Sequence, residues 1–397
     1  MVAEQRSGRG RPPPPASAAW RPGDPPGGRR FVRVFTDQEL ALEAGGSLRD
    51  LTVAYETWGT LAPARDNAVL VCHALTGDSH AAGPAGDGHP TAGWWDGLIG
   101  PGKAVDTDRW FVVSPNVLGG CQGTTGPAST APDGRPFGSR WPRTTIRDQV
   151  AVEAGLADAL GIGRWAAVVG GSMGGMRVVE WAAGQPDRID SAIVLAAGAA
   201  ASAEQIALQS TQVRAITLDP GFAGGDYYDA PPGAGPHEGL GLARRIGHLT
   251  YRTEQEVEER FGRLPQGSED PLAGGRYQIE SYLDHHADKL ARRFDANSYI
   301  ALSEAMSHHD VGRGRGGVAR ALSRVRARTW VIGIDADRLY PVHLQRRIAA
   351  LVPTCEDFST ISSPYGHDGF LIETEALAPL FRRALEGVAC PCPPVSG

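Results

Sequence analysis

Residues 170–176 read Gly-Gly-Ser-Met-Gly-Gly-Met, and Gly170-Gly171-Ser172-Met173-Gly174 fits the pattern G-x-S-x-G. The segment follows a β-branched run, Ala166 to Gly170, and precedes a helical pattern, Gly174 to Ala183, stopped by Gly184 and Pro186. A strand-to-helix turn that exposes a nucleophilic serine needs this context, because only glycine at the flanking positions lets it close without Cβ clashes. The hydroxyl then stands at a helix N-terminus, where backbone N–H groups and the helix dipole favour developing negative charge. A Gly-rich turn whose serine merely caps a helix would also fit the motif. The preceding strand, the following helix and the extra Gly175 favour the nucleophile.

A serine at its free pKa is a weak nucleophile, so a base must take its proton and a carboxylate must orient that base. On such a sheet the acid follows the serine in the chain and the histidine comes last. Of eleven histidines, only His343 and His367 lie beyond the last strand-loop acid. His343 falls in an apparent helix, Val342 to Leu351, which predicts a solvated residue. His367 lies in the glycine-flanked loop Tyr365-Gly-His-Asp-Gly369 and is the expected base. For the acid, strand Thr329 to Ile334 ends in Asp335-Ala-Asp337, two carboxylates at the strand's C-terminal edge, where catalytic groups gather. Spacing does not separate Asp335 from Asp337, and Asp310 is an outside candidate. An oxyanion needs two N–H donors, one following the nucleophile and one in the loop after an earlier strand. Met173 supplies the first, and Leu75, in the loop after strand Ala68 to His73, is a reasonable second. His73 itself reads as structural.

These residues need a scaffold. Candidate strands are Leu51 to Thr57, Ala68 to His73, Trp110 to Pro115, Ala166 to Gly170, Ala192 to Ala196 and Thr329 to Ile334. Several are continuous apolar runs, as parallel strands covered on both faces should be. Helical patterns fall between them; one opens at Thr145-Ile-Arg-Asp148, which resembles a capping box. Alternation of strand and helix argues an α/β architecture, a doubly wound and mostly parallel sheet of the α/β-hydrolase type. Residues 202–320 break the alternation with polar helical segments such as Glu254 to Phe261 and Tyr277 to Arg293, and read as an inserted, mainly helical lid. The core is then expected at 31–201 and 321–388. Residues 1–30, rich in Pro, Gly and Arg, read as a disordered leader, and 389–397 as a flexible tail.

Composition narrows the function. The 397 residues carry a net charge of −6, no footprint for nucleic acid or an anionic membrane surface. The longest apolar stretch, Ala192 to Ala201, falls short of the roughly 20 residues a membrane helix needs. The N-terminus lacks the apolar segment of a secretory signal, and five cysteines are odd in number, so a cytoplasmic address is expected. His285-His286 and His308-His309 are adjacent pairs rather than i, i+4 pairs, so no metal site is expected.

Taken together, several segments resemble the homoserine O-acetyltransferase family, its actinobacterial branch in particular. They are CHALTGDSH (72–80), GWWDGLIGPG (93–102), NVLGGCQGTTGP (116–127), GGSMGGM (170–176), GLARRIGHLTYR (241–252), DRLYP (337–341) and YGHDGFLIE (365–373). The resemblance implies an acyltransferase of methionine biosynthesis, with acetyl-CoA as co-substrate, L-homoserine as acceptor, no bound cofactor, and a homodimer joined through the lid. It also implies roles: Ser172 as nucleophile, His367 as base and Asp337, rather than Asp335, as acid. Arg244 and Tyr251, seven apart on a lid helix, would bind substrate, and Asp368 would take the homoserine amino group. Arg177 departs from the family, where many members carry Gln. The triad motifs leave open a succinyl donor, a serine acceptor and a plain esterase, since all share the nucleophile turn.

Overall fold

In the computed structural model, residues 12–386 are described. Among them eight strands form one sheet: β1 (Arg30–Val34), β2 (Leu51–Trp58), β3 (Ala68–Cys72), β4 (Phe111–Pro115), β5 (Trp165–Gly171), β6 (Ile189–Leu195), β7 (Arg328–Ile334) and β8 (Cys355–Ile361). Their spatial order is β1-β2-β4-β3-β5-β6-β7-β8. β2 runs antiparallel to both neighbours, and every other pairing is parallel. All six expected strands are present. The two that the periodicity missed, β1 and β8, are the sheet edges; RFVRV and CEDFSTI are only partly buried and so carry polar residues that blur the strand pattern.

The central strands are apolar on both faces because both faces are covered. Along β3, Ala68, Leu70 and Cys72 enter one core, while Val69 and Val71 enter the other, the period-2 alternation of a pleated strand. Helices α1 (Ile146–Ala159) and α2 (Met173–Gly184) cover the first face. The expected capping box is realised: the Thr145 hydroxyl accepts from the Asp148 N–H, and the Asp148 carboxylate accepts from the Thr145 N–H.

The insertion comprises α3 (Ala203–Thr217), α4 (His237–Tyr251), α5 (Glu254–Phe261), α6 (Gln278–Ala291) and α7 (Ala296–Ser307). It leaves and rejoins the core at one place, where the Ala201 N–H donates to the His309 carbonyl and the Val311 N–H to the Ala199 carbonyl. The short α8 (Val318–Leu322) straddles the expected boundary at residue 320; Val311 and Val318, expected in the lid, pack on the sheet's own core together with Ala321 and Leu322, so the insertion closes near Asp310. Helices α9 (Val342–Leu351), α10 (Gly369–Ile372) and α11 (Thr374–Glu386) are the last among the described residues. A third apolar cluster joins lid to core, bringing Leu75, Met173 and Tyr340 against Leu240, Phe294 and Tyr299.

The leader departs from expectation. Residues 1–11 lie outside the described residues, as do 387–397, but 12–30 pack on the protein. The Ser17 hydroxyl donates to the buried Asp295 carboxylate at 2.7 Å, the Trp20 N–H donates to the Cys121 carbonyl, and the Trp20 and Phe31 rings stack. Composition failed here because these prolines and glycines borrow a core from the lid instead of building their own.

Candidate active site

Ser172 sits at the junction of β5 and α2 with φ 59° and ψ −125°, a left-handed conformation that a non-glycine residue adopts only under constraint. The constraint is the turn itself. A Cβ on Gly174 would lie 2.0 Å from the Cys72 carbonyl oxygen, and one on Gly170 2.7 Å from the Gly174 backbone. Although Ser172 occupies the N-cap position, its side chain makes no cap hydrogen bond. The hydroxyl instead lies 2.9 Å from His367 Nε2.

His367 rides on a short 3-10 turn, Gly366–Asp368, after β8. Gly366 takes φ 59°, and a Cβ there would stand 2.8 Å from the Tyr251 carbonyl, so this loop abuts the end of α4. The imidazole is boxed by aromatic rings: Tyr340 stacks on it at 5.1 Å, Phe370 meets it edge-on at 5.3 Å, and Tyr251 lies at 5.9 Å. Its Nδ1–H donates to Asp337 Oδ2 at 2.6 Å, which leaves Nε2 as the acceptor toward Ser172. Ser172, Asp337 and His367 are all at least 95% buried.

The ambiguity between the two aspartates is resolved by contact. Asp337 Oδ1 accepts from the N–H groups of Leu339 and Tyr340, both at 2.8 Å, which orients Oδ2 toward the histidine. Asp335 is used elsewhere, accepting from the Ser363 N–H at 3.2 Å. Asp310 caps a turn at the base of the insertion through the Gly312 N–H, and His343 is exposed on α9.

Met173 opens α2, so its N–H has no intrahelical acceptor. Among the described residues neither that group nor the Leu75 N–H donates to protein. His73 holds the loop between them: it is fully buried, its Nδ1–H donates to the Ala74 carbonyl at 2.7 Å, and Nε2 accepts from the Val117 N–H at 3.0 Å. Burial, aided by the nearby Arg177, lowers its pKa to about 3, so the ring stays neutral and can keep both bonds. The structural reading of His73 agrees with this arrangement.

The three residues singled out as substrate ligands lie on the lid side. Arg244 reaches over the Tyr251 ring at 5.6 Å, and its Nη1 stands 3.4 Å from the Thr76 hydroxyl. Burial pushes the Tyr251 hydroxyl above its usual pKa, with Arg244 opposing and Asp368 reinforcing that shift. Asp368 itself pairs with Arg252 Nε at 3.2 Å, a partner that sequence reasoning did not single out.

A cleft of about 240 Å³ opens beside this loop, lined by Ala74, Thr76 and Gly77 and by Arg244, Lys289 and Arg293. At its rim, Glu56, His80 and His89 form a buried group missed in the sequence, with ligand atoms within 4.8 Å of one another. Its atoms bond one another and two neighbours: Ser79 Oγ donates to Glu56 at 2.8 Å, His80 Nδ1 lies 2.9 Å from the same carboxylate, and the Gly28 N–H donates to His89 Nε2 at 3.1 Å. No sequence signal links position 56 to 80 and 89, since strand pairing and the docked leader bring them together.

Comparison with known proteins agrees with this geometry. Residues 67–374 match the family model described as the alpha/beta hydrolase fold. Homoserine O-acetyltransferase of Thermobifida fusca is 60% identical over 94% of this chain and 98% of its own length. That of Mycolicibacterium smegmatis is 57% identical over 87% and 91%. Among solved structures, homoserine O-acetyltransferase from Bacillus anthracis superposes with a TM-score of 0.82 at 27% identity, covering 91% of this chain and 98% of that one. Esterase E22 superposes with a TM-score of 0.80 at 29% identity, covering 90% and 99%. With identity near 60% along nearly the whole length, the chain belongs to the homoserine O-acetyltransferase family of acyltransferases, built on the α/β hydrolase fold.

Proposed function

We propose that this enzyme moves an acetyl group from acetyl-CoA to the γ-hydroxyl of L-homoserine through an acetyl-serine intermediate. His367 Nε2 takes the Ser172 proton as Oγ attacks the thioester carbonyl, and Asp337 stabilises the imidazolium. The N–H groups of Leu75 and Met173 hold the oxyanion. The tetrahedral intermediate collapses, the C–S bond breaks, and the departing sulfur takes the proton from His367. The homoserine hydroxyl then gives its proton to His367 and attacks the acetyl carbonyl; collapse releases the acetylated product and returns the proton to Ser172. Ping-pong kinetics follow from the covalent intermediate.

The acceptor is a zwitterion, which calls for a cation at one end and an anion at the other. Arg244 suits the carboxylate as a planar, two-pronged donor, with Tyr251 beside it. Asp368 suits the ammonium, which would share the carboxylate with Arg252. The lid shields the acetyl-enzyme from water, in keeping with the burial of Ser172. The same reading carries a cytoplasmic homodimer in methionine biosynthesis, using no bound cofactor. Among the described residues no helix is long and apolar enough to cross a membrane.

The observation that carries this reading is the 2.9 Å approach of Ser172 Oγ to His367 Nε2. Intact-protein mass spectrometry after exposure to acetyl-CoA should show one added acetyl, absent in Ser172→Ala and discharged by homoserine. Discharge by water at the same rate would instead mark an esterase.

A further inference from the structure

The cleft beside the oxyanion loop is lined by three cations, Arg244, Lys289 and Arg293, against a single carboxylate, Asp78. Elsewhere several buried or half-buried arginines meet acids: Arg177 with Glu153, Arg315 with Glu180, Arg252 with Asp368. Among the described residues none of the three cleft cations is in ion-pair contact with a carboxylate. They act on one another instead: desolvation and then its two arginine neighbours lower the Lys289 pKa, and desolvation and then Arg244 lower that of Arg293. Such mutual repulsion is unfavourable unless an anion relieves it. The dipole of α6 favours cations near its C-terminal end, where Lys289 and Arg293 lie, yet it does not require them to face one cleft with Arg244 from a different helix.

The cleft begins at Ala74, Thr76 and Gly77, the neighbours of Leu75. A donor whose thioester reaches Ser172 past this loop has the cleft in front of its remaining length. The acceptor brings one carboxylate, which Arg244 answers; two cations remain for the donor. We propose that Lys289 and Arg293 form a phosphate-binding subsite that recognises the phosphate groups of a nucleotide-bearing thioester. The subsite rests on the acetyl-transfer reading above and adds to it the means by which a hydrolase scaffold selects a phosphorylated donor over a simple ester.

Lys289→Gln and Arg293→Gln are compared with the unaltered enzyme using two donors with the same reacting end, acetyl-CoA and phosphate-free S-acetylpantetheine. Each substitution should raise KM for acetyl-CoA about tenfold with kcat nearly unchanged, and leave kcat/KM for S-acetylpantetheine unaltered. Lys289→Arg should restore most of the loss. Higher salt should raise KM for acetyl-CoA in the unaltered enzyme and less so in the variants. Equal losses with both donors, or a rise confined to KM for homoserine, would overturn the subsite. Calorimetric binding of adenosine 3′,5′-bisphosphate separates this proposal from the reaction it rests on. Binding that the substitutions weaken supports the subsite even if no acetyl reaches homoserine, in which case only the transfer reading fails. Absence of binding overturns the subsite even if transfer proceeds.

Discussion

Arg177 donates through Nη2 to the carbonyl of His73, tying the helix that follows Ser172 to the end of the strand whose loop carries Leu75. Its Nη1 donates to Glu153 Oε1 at 2.5 Å, and Trp181 Nε1 donates to the second oxygen of that carboxylate at 2.7 Å. The ion pair is buried, with side-chain exposures of 0% and 3%.

Breaking such a pair strands a charge away from water, a loss of about 3–5 kcal/mol. Arg177→Gln should therefore destabilise strongly in urea unfolding. Adding Glu153→Gln should recover part of the loss. A single substitution that leaves the urea midpoint unmoved would contradict this account.

Asp337 and Asp335 should separate cleanly. Asp337→Asn disturbs the histidine's tautomer and should lower kcat by about 10⁴-fold, as in other triads of this geometry. Asp335→Asn, at a carboxylate that accepts from the Ser363 N–H and does not meet His367, should retain activity within a few-fold. Steady-state acetyl transfer decides between them, and the reverse ranking would unseat Asp337.

Glycines around the turn differ in what they exclude. Gly174→Ala would drive a Cβ into the Cys72 carbonyl at 2.0 Å, so soluble folded protein is not expected. Gly171→Ala meets the Phe370 ring at 2.4 Å, and that ring packs on His367, so activity should fall further than stability. Gly163→Ala faces open space and should be neutral in thermal melts and in turnover. Equivalence of the three would refute a steric role.

Acid should weaken the fold through buried neutral histidines. Burial lowers His73 to about 3 and His309 to about 4, against 6.5 for a free imidazole. The unfolded chain thus binds protons that the native state refuses, so stability is full above about pH 6.5 and declines as pH falls toward 4. Each group steepens the decline by up to about 1.4 kcal/mol per pH unit. Urea midpoints between pH 7.5 and 5 should show the trend, and His309→Gln should flatten it; a slope unchanged by that substitution would count against it.

Residues near one another in the chain determined the nucleophile turn and most of the sheet. G-x-S-x-G between an apolar strand and a helix is a backbone requirement met within a dozen residues, and continuous apolar runs announce strands covered on both faces. His367 was legible for a similar reason, as a glycine-flanked histidine late in the chain. Local spacing left Asp335 and Asp337 equal; the family resemblance favoured Asp337, but only the tertiary structure supplied the physical reason, since the two differ in partners some 30 positions distant. The docking of residues 12–30, the pairing of Arg252 with Asp368, and the meeting of Arg244 with Lys289 and Arg293 were equally silent in the sequence. Charge and burial at such places are set by whichever surfaces the fold presses together, and no periodicity in the chain records that.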